Sequence, residues 1–281
     1  MLLSFGVSIQ GSSHQEKDIV CQDAHVFKIL KNGWVVSAVA DGVGSAKHSD
    51  IASRIAVDSV IEYVESKKLP TRKQGLLDIL KESFQLALDK IYRTLKKQKH
   101  KEIDYDTTLH AVIYNGETIV YGHSGDGGIV GLSYDGEYVA ITKPQKGSDG
   151  NSVIPLRAGA ETWQFGTSSK SFSAILLATD GVYDTFFPYL LRGQKNEIYV
   201  PLIRCFMDNP DVRTQDALGE LLCSDKYKGV TDDMTAVVII NKKVKPLKRD
   251  KDYYAMPNWD ALKEEWNKKA YPHLYNNEDK E

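Results

Sequence analysis

The chain has 281 residues, of which 42% are hydrophobic, enough for one large domain or two small ones. Lysine and arginine total 36 against 38 aspartates and glutamates, which gives a net charge of −2. This balance argues against a nucleic-acid partner. The sequence also lacks a block of like charges that would predict a long disordered tail. The three cysteines, Cys21, Cys205 and Cys223, form no CxxC pair. A disulfide scaffold and a zinc ribbon are therefore disfavoured.

Nothing in the sequence predicts secretion or a membrane partner. The N-terminus lacks a basic region and a sustained apolar core, so it makes a poor signal peptide. No apolar run approaches the roughly 18 residues that a membrane-spanning helix needs. We therefore expect a soluble cytoplasmic protein.

Short segments rich in β-branched or aromatic residues predict nine strands. They are 5–10, 24–29, 34–40, 108–114, 118–123, 129–133, 138–142, 173–179 and 235–241. Three turn sequences between consecutive strands are typical of hairpins: Lys31-Asn32-Gly33, Asn115-Gly116 and Asp135-Gly136.

Between the third and fourth strands the hydrophobic period changes to that of a helix. It predicts two long helices, separated by Leu69-Pro70-Thr71 and lying antiparallel. A second helical zone spans about 183–222, with a break near Asn209-Pro210. Because hairpins, and not regular βαβ crossovers, join the strands, the pattern indicates an α+β fold with a mostly antiparallel sheet.

Two segments fall outside these elements. Residues 143–165 are polar and glycine-rich, which predicts a long surface loop. Residues 243–281 are interpreted as a charged and aromatic C-terminal extension to a domain of residues 1–242. Within the extension, a short amphipathic stretch is predicted to dock on the domain, and a partner-binding tail is the alternative. Its large side chains are Trp259, Leu262, Trp266 and Tyr271.

Aspartates recur where predicted strands end or turn. They are Asp23, Asp41, Asp126, Asp180 and the pair Asp232-Asp233. Apolar strands lead into Asp41 and Asp180, which places both carboxylates at the edge of a buried sheet. Converging buried carboxylates repel one another unless a cation offsets their charge, and carboxylate oxygen suits Mg²⁺ and Mn²⁺. Each Asp-Gly alone is more often a turn, but the whole set favours a metal site.

The order of the motifs resembles that of the metal-dependent type 2C protein serine/threonine phosphatases, above all their compact bacterial branch. The motifs are QDA at 22–24, VADGVGSA at 39–46, GDGG at 125–128, LLATDGVYD at 176–184 and TDDMTAVVI at 231–239. Any one of them is weak, but five in this order are specific. The resemblance spans roughly residues 5–240 and implies a central antiparallel β-sandwich flanked by antiparallel helix pairs.

The resemblance also implies two catalytic cations, Mg²⁺ or Mn²⁺. Asp41 corresponds to the aspartate that bridges them, and the backbone carbonyl of Gly42 corresponds to a further ligand. Asp180 and Asp232 match the other direct carboxylate ligands. Asp23 matches the acidic residue at the first metal, which acts partly through water.

Two further acidic residues have correspondences in the family. Asp126 resembles the aspartate that, with Asp180, holds a weaker third cation. In the Asp232-Asp233 pair, alignment on Met234 makes Asp232 the ligand. Asp233 then occupies a position where the family often has asparagine, which makes it the less certain of the two.

The activity implied is hydrolysis of phosphoserine or phosphothreonine in a protein, such as the target of a serine/threonine kinase. The implied nucleophile is a hydroxide that bridges the metals, with no covalent phosphoenzyme. Consistent with this, no cysteine precedes a glycine-rich run ending in arginine. Asp41 and Asp180 are the candidate catalytic carboxylates.

The sequence departs from the family pattern in two places. Many relatives carry a phosphate-binding arginine shortly before the residue matching Asp23, but here no arginine precedes Arg54. His14 is the first candidate to replace it as a phosphate donor and Lys17 the second, although a surface-loop histidine is an equal alternative. The segment 143–165 stands where relatives often have a different flap, so their substrate preference does not carry over.

Two alternative functions remain open. A catalytically silent member of the family could bind a phosphoprotein as a regulatory module, which the missing arginine favours. The joint presence of the candidate ligands opposes that view: Asp23, Asp41, Asp180 and Asp232. The second alternative is a metal-dependent hydrolase of small phosphoesters on the same scaffold.

Overall fold

The computed structural model describes residues 1–147, 152–168 and 170–275. Ten strands in these ranges form two five-stranded antiparallel sheets, ordered β1-β10-β9-β6-β7 and β2-β3-β4-β5-β8. The strands are β1 (Leu2–Ile9), β2 (Ala24–Ile29), β3 (Val35–Ala40), β4 (Leu109–Tyr114), β5 (Ile119–Ser124), β6 (Gly128–Ser133), β7 (Tyr138–Ala140), β8 (Gln164–Ser168), β9 (Phe172–Ala178) and β10 (Met234–Asn241).

Helices cover the outer faces of both sheets. The helices are α1 (Ser12–Glu16), α2 (Ser49–Glu65), α3 (Lys73–Gln98), α4 (Asp180–Tyr183), α5 (Pro201–Asp208), α6 (Gln215–Leu222), α7 (Lys251–Tyr254), α8 (Trp259–Ala270) and α9 (Pro272–Tyr275). The two long helices predicted from the sequence are α2 and α3, and the zone 183–222 consists of short helices and 3₁₀ turns. In the ranges that the structure describes, no helix is long and apolar enough to cross a membrane.

Strand β3 shows how the layers are built, because all six of its residues are buried. Val35 and Val39 join a cluster that includes side chains of the opposite sheet, whereas Val36 and Ala38 pack into the cluster beneath α2 and α3. This alternation follows from the two-residue period of a strand. Since β3 is covered on both faces, Asp41 is the first residue to leave the sandwich at its end.

The second sheet has its own helical cover. Phe206 of α5 packs edge-on against Phe5 of β1, with ring centroids 5.0 Å apart. Leu202 of α5 and Leu218 of α6 are buried in the same cluster. The order is therefore helix, sheet, sheet, helix, which confirms the predicted α+β sandwich.

The prediction of a surface loop over residues 143–165 is wrong at its C-terminal end. Strand β8 begins at Gln164 and pairs antiparallel with the edge of β5, and Phe165 packs against Phe84 of α3 with ring centroids 5.0 Å apart. The sequence QFGTS carries little strand preference, so pairing and packing decide its conformation. The remaining described part is irregular, with a 3₁₀ turn at Leu156–Ala158; residues 148–151 lie outside the described ranges.

The C-terminal extension packs on the helical face of the first sheet. The Tyr253 hydroxyl accepts a hydrogen bond from the Tyr138 backbone N–H at 2.9 Å, and the Tyr254 hydroxyl donates to the Gly136 carbonyl at 2.6 Å. Farther along, Trp266 of α8 packs edge-on against Tyr189 at 5.3 Å. Residues 276–281 of the predicted extension lie outside the described ranges, and its boundary at residue 243 stays a prediction.

Candidate metal centre

Three carboxylates converge at one end of the sandwich. Asp41, Asp126 and Asp180 each offer an oxygen atom, and these atoms all lie within 4.8 Å of one another. Asp41 follows β3, Asp126 lies between β5 and β6, and Asp180 follows β9, so both sheets contribute. We call these residues the acidic triad. Residues from distant parts of the chain meet here because their strands end at the same edge.

The backbone holds Asp41 through the segment before β4. The Asp41 N–H donates to the Thr108 hydroxyl, and the Asp41 carbonyl accepts from the Thr107 hydroxyl and from the Thr108 N–H, each at 2.8 Å. Gly42 forms an isolated β-bridge with Thr107. These bonds fix the turn after β3 and with it the direction in which Asp41 leaves the sheet.

Gly42 is required by the close approach of its neighbours. A Cβ atom at this position would lie 2.6 Å from the Gln22 carbonyl oxygen and 2.8 Å from the Ser49 Cβ atom. Both distances are shorter than van der Waals contact, and one of the two atoms belongs to the backbone. Any larger residue would therefore displace the turn that presents Asp41.

The other two members of the triad are held by local turns. Gly125 has a φ of +116°, a conformation that favours glycine, and it starts the turn that carries Asp126. One carboxylate oxygen of Asp126 is buried without a hydrogen-bond partner among the described residues. Asp180 opens helix α4, and its carboxylate accepts from the Gly181 N–H at 2.7 Å. The unpartnered oxygen is one that a cation would satisfy.

The electrostatics of the triad also fit a cation. Burial raises the pKa of Asp180 to about 7, with further increases from the charges of Asp126 and Asp232. Burial likewise raises the pKa of Asp41 well above its usual value, assisted by the nearby charges of Asp23 and Asp180. Several carboxylate oxygens converge here, and their negative charges are poorly compensated. Mg²⁺ and Mn²⁺ prefer such oxygen ligands.

Two other predicted ligands lie next to the triad. Asp232 lines the same cavity as Asp41 and Asp180, and its carboxylate accepts from the Asp233 N–H at 2.8 Å. Asp23 is buried, and its carboxylate accepts a hydrogen bond from the Thr179 hydroxyl at 2.7 Å. Burial raises the pKa of Asp23 to about 8, and Asp233 adds to the effect. Both are therefore placed to support the triad, Asp232 from the cavity wall and Asp23 from within the protein.

Asp233 has a different environment from Asp232, although the two are consecutive. It is 2% exposed, and its carboxylate accepts hydrogen bonds from the backbone N–H groups of Gly11 at 2.7 Å and Gln22 at 2.6 Å. The same carboxylate lies 3.0 Å from His14 Nδ1, at ion-pair distance but without hydrogen-bond geometry. Asp233 thus fastens the segment before β2 and holds His14 in place.

The triad opens into a cavity of about 440 Å³, which His14 and Asp232 also line. The structure adds a residue that the sequence analysis missed. Arg157, from the irregular part of the 143–165 segment, lines the cavity and forms a two-point ion pair with Asp106. An arginine in a polar loop belongs to none of the recognised motifs, so no local sequence signal marks it.

A comparison with known families agrees with this architecture. The family model described as Protein phosphatase 2C matches residues 10–223. The chain belongs to the protein phosphatase 2C family. The match covers the segments that carry Asp23, the acidic triad and His14, but it stops before Asp232. No curated protein matches the chain in sequence.

Solved bacterial phosphatases share the fold of this protein phosphatase 2C. The S. agalactiae serine/threonine phosphatase is 17% identical, with a TM-score of 0.64 and coverage of 86% of this chain and 100% of that one. Stp1 from Staphylococcus aureus is 14% identical, with a TM-score of 0.59 and coverage of 86% and 96%. The catalytic domain of PstP, in complex with 2 manganese ions, is 18% identical, with a TM-score of 0.57 and coverage of 85% and 97%. PstP/Ppp is the serine/threonine phosphatase of Mycobacterium tuberculosis.

Proposed function

We propose that this protein phosphatase 2C hydrolyses phosphoserine and phosphothreonine in phosphorylated proteins, using divalent cations held at the acidic triad. Family membership supports a phosphatase. The observation that carries the proposal is the convergence of carboxylate oxygens from Asp41, Asp126 and Asp180 within 4.8 Å. A protein that had lost catalysis would have no need to keep this costly arrangement of buried charge.

Two cations, Mg²⁺ or Mn²⁺, fit the residues present. We assign Asp41 as the carboxylate shared between them, with the Gly42 carbonyl as a neighbouring ligand. Asp180 and Asp232 complete the direct carboxylates. The similarity to the PstP catalytic domain, which binds 2 manganese ions, supports this number and this class of metal.

The remaining two aspartates have secondary positions in this assignment. Asp23 lies behind Asp41 and orients the site, with its own carboxylate fixed by Thr179. Asp126, with its unpartnered oxygen, would hold a weaker third cation together with Asp180. Such a cation would be the first to leave when the metal concentration falls.

The chemistry requires an activated water, neutralised phosphoryl charge and in-line geometry. Divalent cations held by these carboxylates would supply the charge neutralisation and the activation of water that this reaction needs. The contribution of the chain is to hold Asp41 and Asp180 at the ends of rigid strands, so that little reorganisation accompanies the reaction.

We assign His14 as a donor to the substrate at the cavity wall. Its Nδ1 faces the carboxylate of Asp233, and its side chain is only 12% exposed, so its ring has little freedom to rotate. The side chain held in this way also lines the cavity. This contact favours a fixed role over that of a mobile surface histidine.

The substrate class rests on the family and on the similar structures, several of which are serine/threonine phosphatases. A serine/threonine kinase would supply such a substrate. The cavity of about 440 Å³ has room for a phosphorylated side chain, and its lining by acidic residues makes phosphate binding dependent on bound cations.

The decisive experiment measures hydrolysis of an aryl phosphate and of phosphopeptides by the purified protein, with and without Mn²⁺. We expect turnover only with metal, and loss of turnover in Asp180→Asn. Metal-dependent cleavage of the aryl phosphate without any phosphopeptide cleavage would favour a hydrolase of small phosphoesters. Absence of turnover on every substrate, with phosphopeptide binding retained, would instead identify a regulatory binding module.

A matched pair tests His14. His14→Ala should raise KM for the aryl phosphate about tenfold, as expected for the loss of one charge-assisted hydrogen bond. His48→Ala is the control, because that histidine stacks on His100 and does not line the cavity. An unchanged KM in His14→Ala would remove the proposed donor role.

A further inference from the structure

We propose that Arg157 binds the phosphoryl group of the substrate. The inference rests on the proposed function, since it assigns a substrate-binding residue to the same site. Among the described residues that line the cavity, the side chains that can carry positive charge are His14 and Arg157.

Arg157 is held in one orientation by a fixed carboxylate. Its Nε lies 2.6 Å from Asp106 Oδ1 and its Nη2 lies 2.8 Å from Asp106 Oδ2. The Asp106 side chain is 9% exposed, whereas that of Arg157 is 33% exposed. The pair therefore anchors one edge of the guanidinium inside the protein and leaves another part of it accessible to the cavity.

The donors of Arg157 are sufficient for a second anion. A guanidinium has five N–H groups, and the contact with Asp106 uses two of them, on Nε and Nη2. Nη1 takes no part in that contact. Arginine commonly recognises phosphate with two nitrogens of its planar fork, and a carboxylate on the opposite edge reduces the entropy lost when phosphate binds.

The anchor of Arg157 is also the anchor of the triad. The Asp106 carbonyl accepts a hydrogen bond from the Val43 N–H at 3.1 Å, and Thr107 bridges to Gly42. The Leu156 N–H donates to the Thr107 carbonyl at 2.8 Å, which fixes the backbone next to Arg157. A single segment thus positions both the turn after Asp41 and the arginine, so their separation is fixed by the fold.

The competing explanation is that the ion pair only fastens the loop. A fastening role predicts a loss of stability when the ion pair is broken, with no specific loss of phosphate affinity. A phosphate-binding role predicts a specific loss of affinity for phosphate. The affinity for inorganic phosphate separates the two roles, because this ion reports contacts to the phosphoryl group alone and lacks the protein part of a substrate.

The experiment compares Arg157→Gln and Arg157→Lys with wild type in the full chain. In the Mn²⁺-loaded enzyme, Arg157→Gln should raise both KM for an aryl phosphate and the inhibition constant of inorganic phosphate about 10- to 100-fold. Arg157→Lys, which keeps the charge and loses the fork, should fall between. Mn²⁺ affinity by calorimetry should stay unchanged, because Arg157 is not a ligand.

Arg204→Gln is the matched control. Arg204 is also paired with an aspartate, since its Nη2 contacts both carboxylate oxygens of Asp208, but it lies on α5 outside the cavity. Asp106→Asn provides a positioning test: it should raise the inhibition constant of phosphate less than Arg157→Gln does, and the double variant should resemble Arg157→Gln alone. Additive effects of the two changes would contradict a shared role.

A second measurement keeps the outcome independent of turnover. Inorganic phosphate is titrated into the Mg²⁺-loaded protein and followed by ³¹P NMR, with Arg157→Gln compared against wild type and Arg204→Gln. Weaker phosphate binding in Arg157→Gln supports the inference even if no substrate is hydrolysed. Equal phosphate affinity in wild type and Arg157→Gln overturns it, whether or not the protein proves to be a phosphatase.

Discussion

The cavity is bounded by two regions that are built in different ways. Asp41 and Asp180 leave strands that are buried on both faces, so the sandwich itself determines where their carboxylates lie. Arg157 comes from an irregular segment whose position depends on its contacts with Asp106 and Thr107. In the function proposed above, the metal-binding carboxylates would therefore be fixed by the rigid core, whereas the proposed phosphate contact would depend on a few hydrogen bonds of an irregular segment.

The largest expected effect separates the two regions. Asp41→Asn should lower kcat about 10³-fold or more, because a weakened metal site forfeits several kcal/mol of charge stabilisation. Arg157→Gln should act mainly on KM. Steady-state kinetics at saturating Mn²⁺ compares them, with Arg204→Gln as the control. Equal losses of kcat in both variants would mean that the regions do not differ in role.

Asp232 and Asp233 are adjacent in sequence but differ in environment, since Asp232 lines the cavity and Asp233 is enclosed by donors of its own chain. Asp233→Asn should reduce the free energy of unfolding by about 2–3 kcal/mol, because the Asp233 carboxylate accepts hydrogen bonds from the buried N–H groups of Gly11 and Gln22 with its two oxygens, and an amide keeps only one acceptor. Asp232→Asn should leave the metal-free protein as stable as wild type and reduce the increase in Tm caused by Mn²⁺.

Thermal unfolding with and without Mn²⁺ measures both effects. The assignment of Asp232 as the ligand is contradicted if Asp233→Asn loses the metal-induced Tm increase while Asp232→Asn keeps it. The same pair also shows how a structural carboxylate differs from a functional one. One is enclosed by donors from its own chain, and the other faces the cavity.

The convergence of the acidic triad was largely predictable from the sequence, because strand ends are encoded locally. Apolar runs of β-branched residues precede Asp41 and Asp180, and the alternation of such strands fixes where a following side chain emerges. Similarly, α2 and α3 follow from hydrophobic positions at steps of three and four. These features depend on neighbours in sequence, which a single chain displays directly.

The contribution of the 143–165 segment was not predictable, because it depends on residues that are distant in sequence. Strand β8 exists because the edge of β5 accepts it, and Arg157 faces the cavity because Asp106, far away in sequence, binds it. The structural role of Asp233 was likewise not recognised, since its partners Gly11 and Gln22 lie at the other end of the chain. Tertiary contacts of this kind leave no local pattern.

The acidic region should also respond to pH in the metal-free protein. The pKa values of Asp23, about 8, and Asp180, about 7, lie above the roughly 3.9 of an unfolded aspartate. Between these limits the folded state binds more protons than the unfolded state, so stability falls as pH rises. We expect Tm of the metal-free protein to decrease from about pH 5 to about pH 8.

Added Mg²⁺ should reverse most of this decrease, since it replaces the protons as the compensating charge. Asp180→Asn, which removes one of the titrating groups, should flatten the pH dependence of the metal-free protein. Scanning calorimetry at several pH values gives the curve for each variant. A metal-free Tm that rises over this range would show that burial and the neighbouring charges do not raise the pKa values of these carboxylates.

The smallest effect concerns the support of the loop. The Trp163 indole N–H donates to the Leu156 carbonyl at 2.9 Å, beside Arg157, and its ring packs edge-on against Phe84 at 5.7 Å. Trp163→Phe keeps an aromatic ring and removes the donor, so it should cost about 1 kcal/mol, or a decrease of about 2–4 °C in Tm. A loosened Arg157 should also raise KM for the aryl phosphate less than tenfold.

Trp266→Phe is the control. Trp266 lies in the C-terminal extension, packs on Tyr189 and does not line the cavity. The KM of Trp266→Phe should equal that of wild type. The increase in Tm caused by Mn²⁺ should be the same in both tryptophan variants, since neither touches the acidic triad. If Trp163→Phe changed metal binding instead of KM, the loop would belong to the metal centre, and the distinction between the two regions would fail.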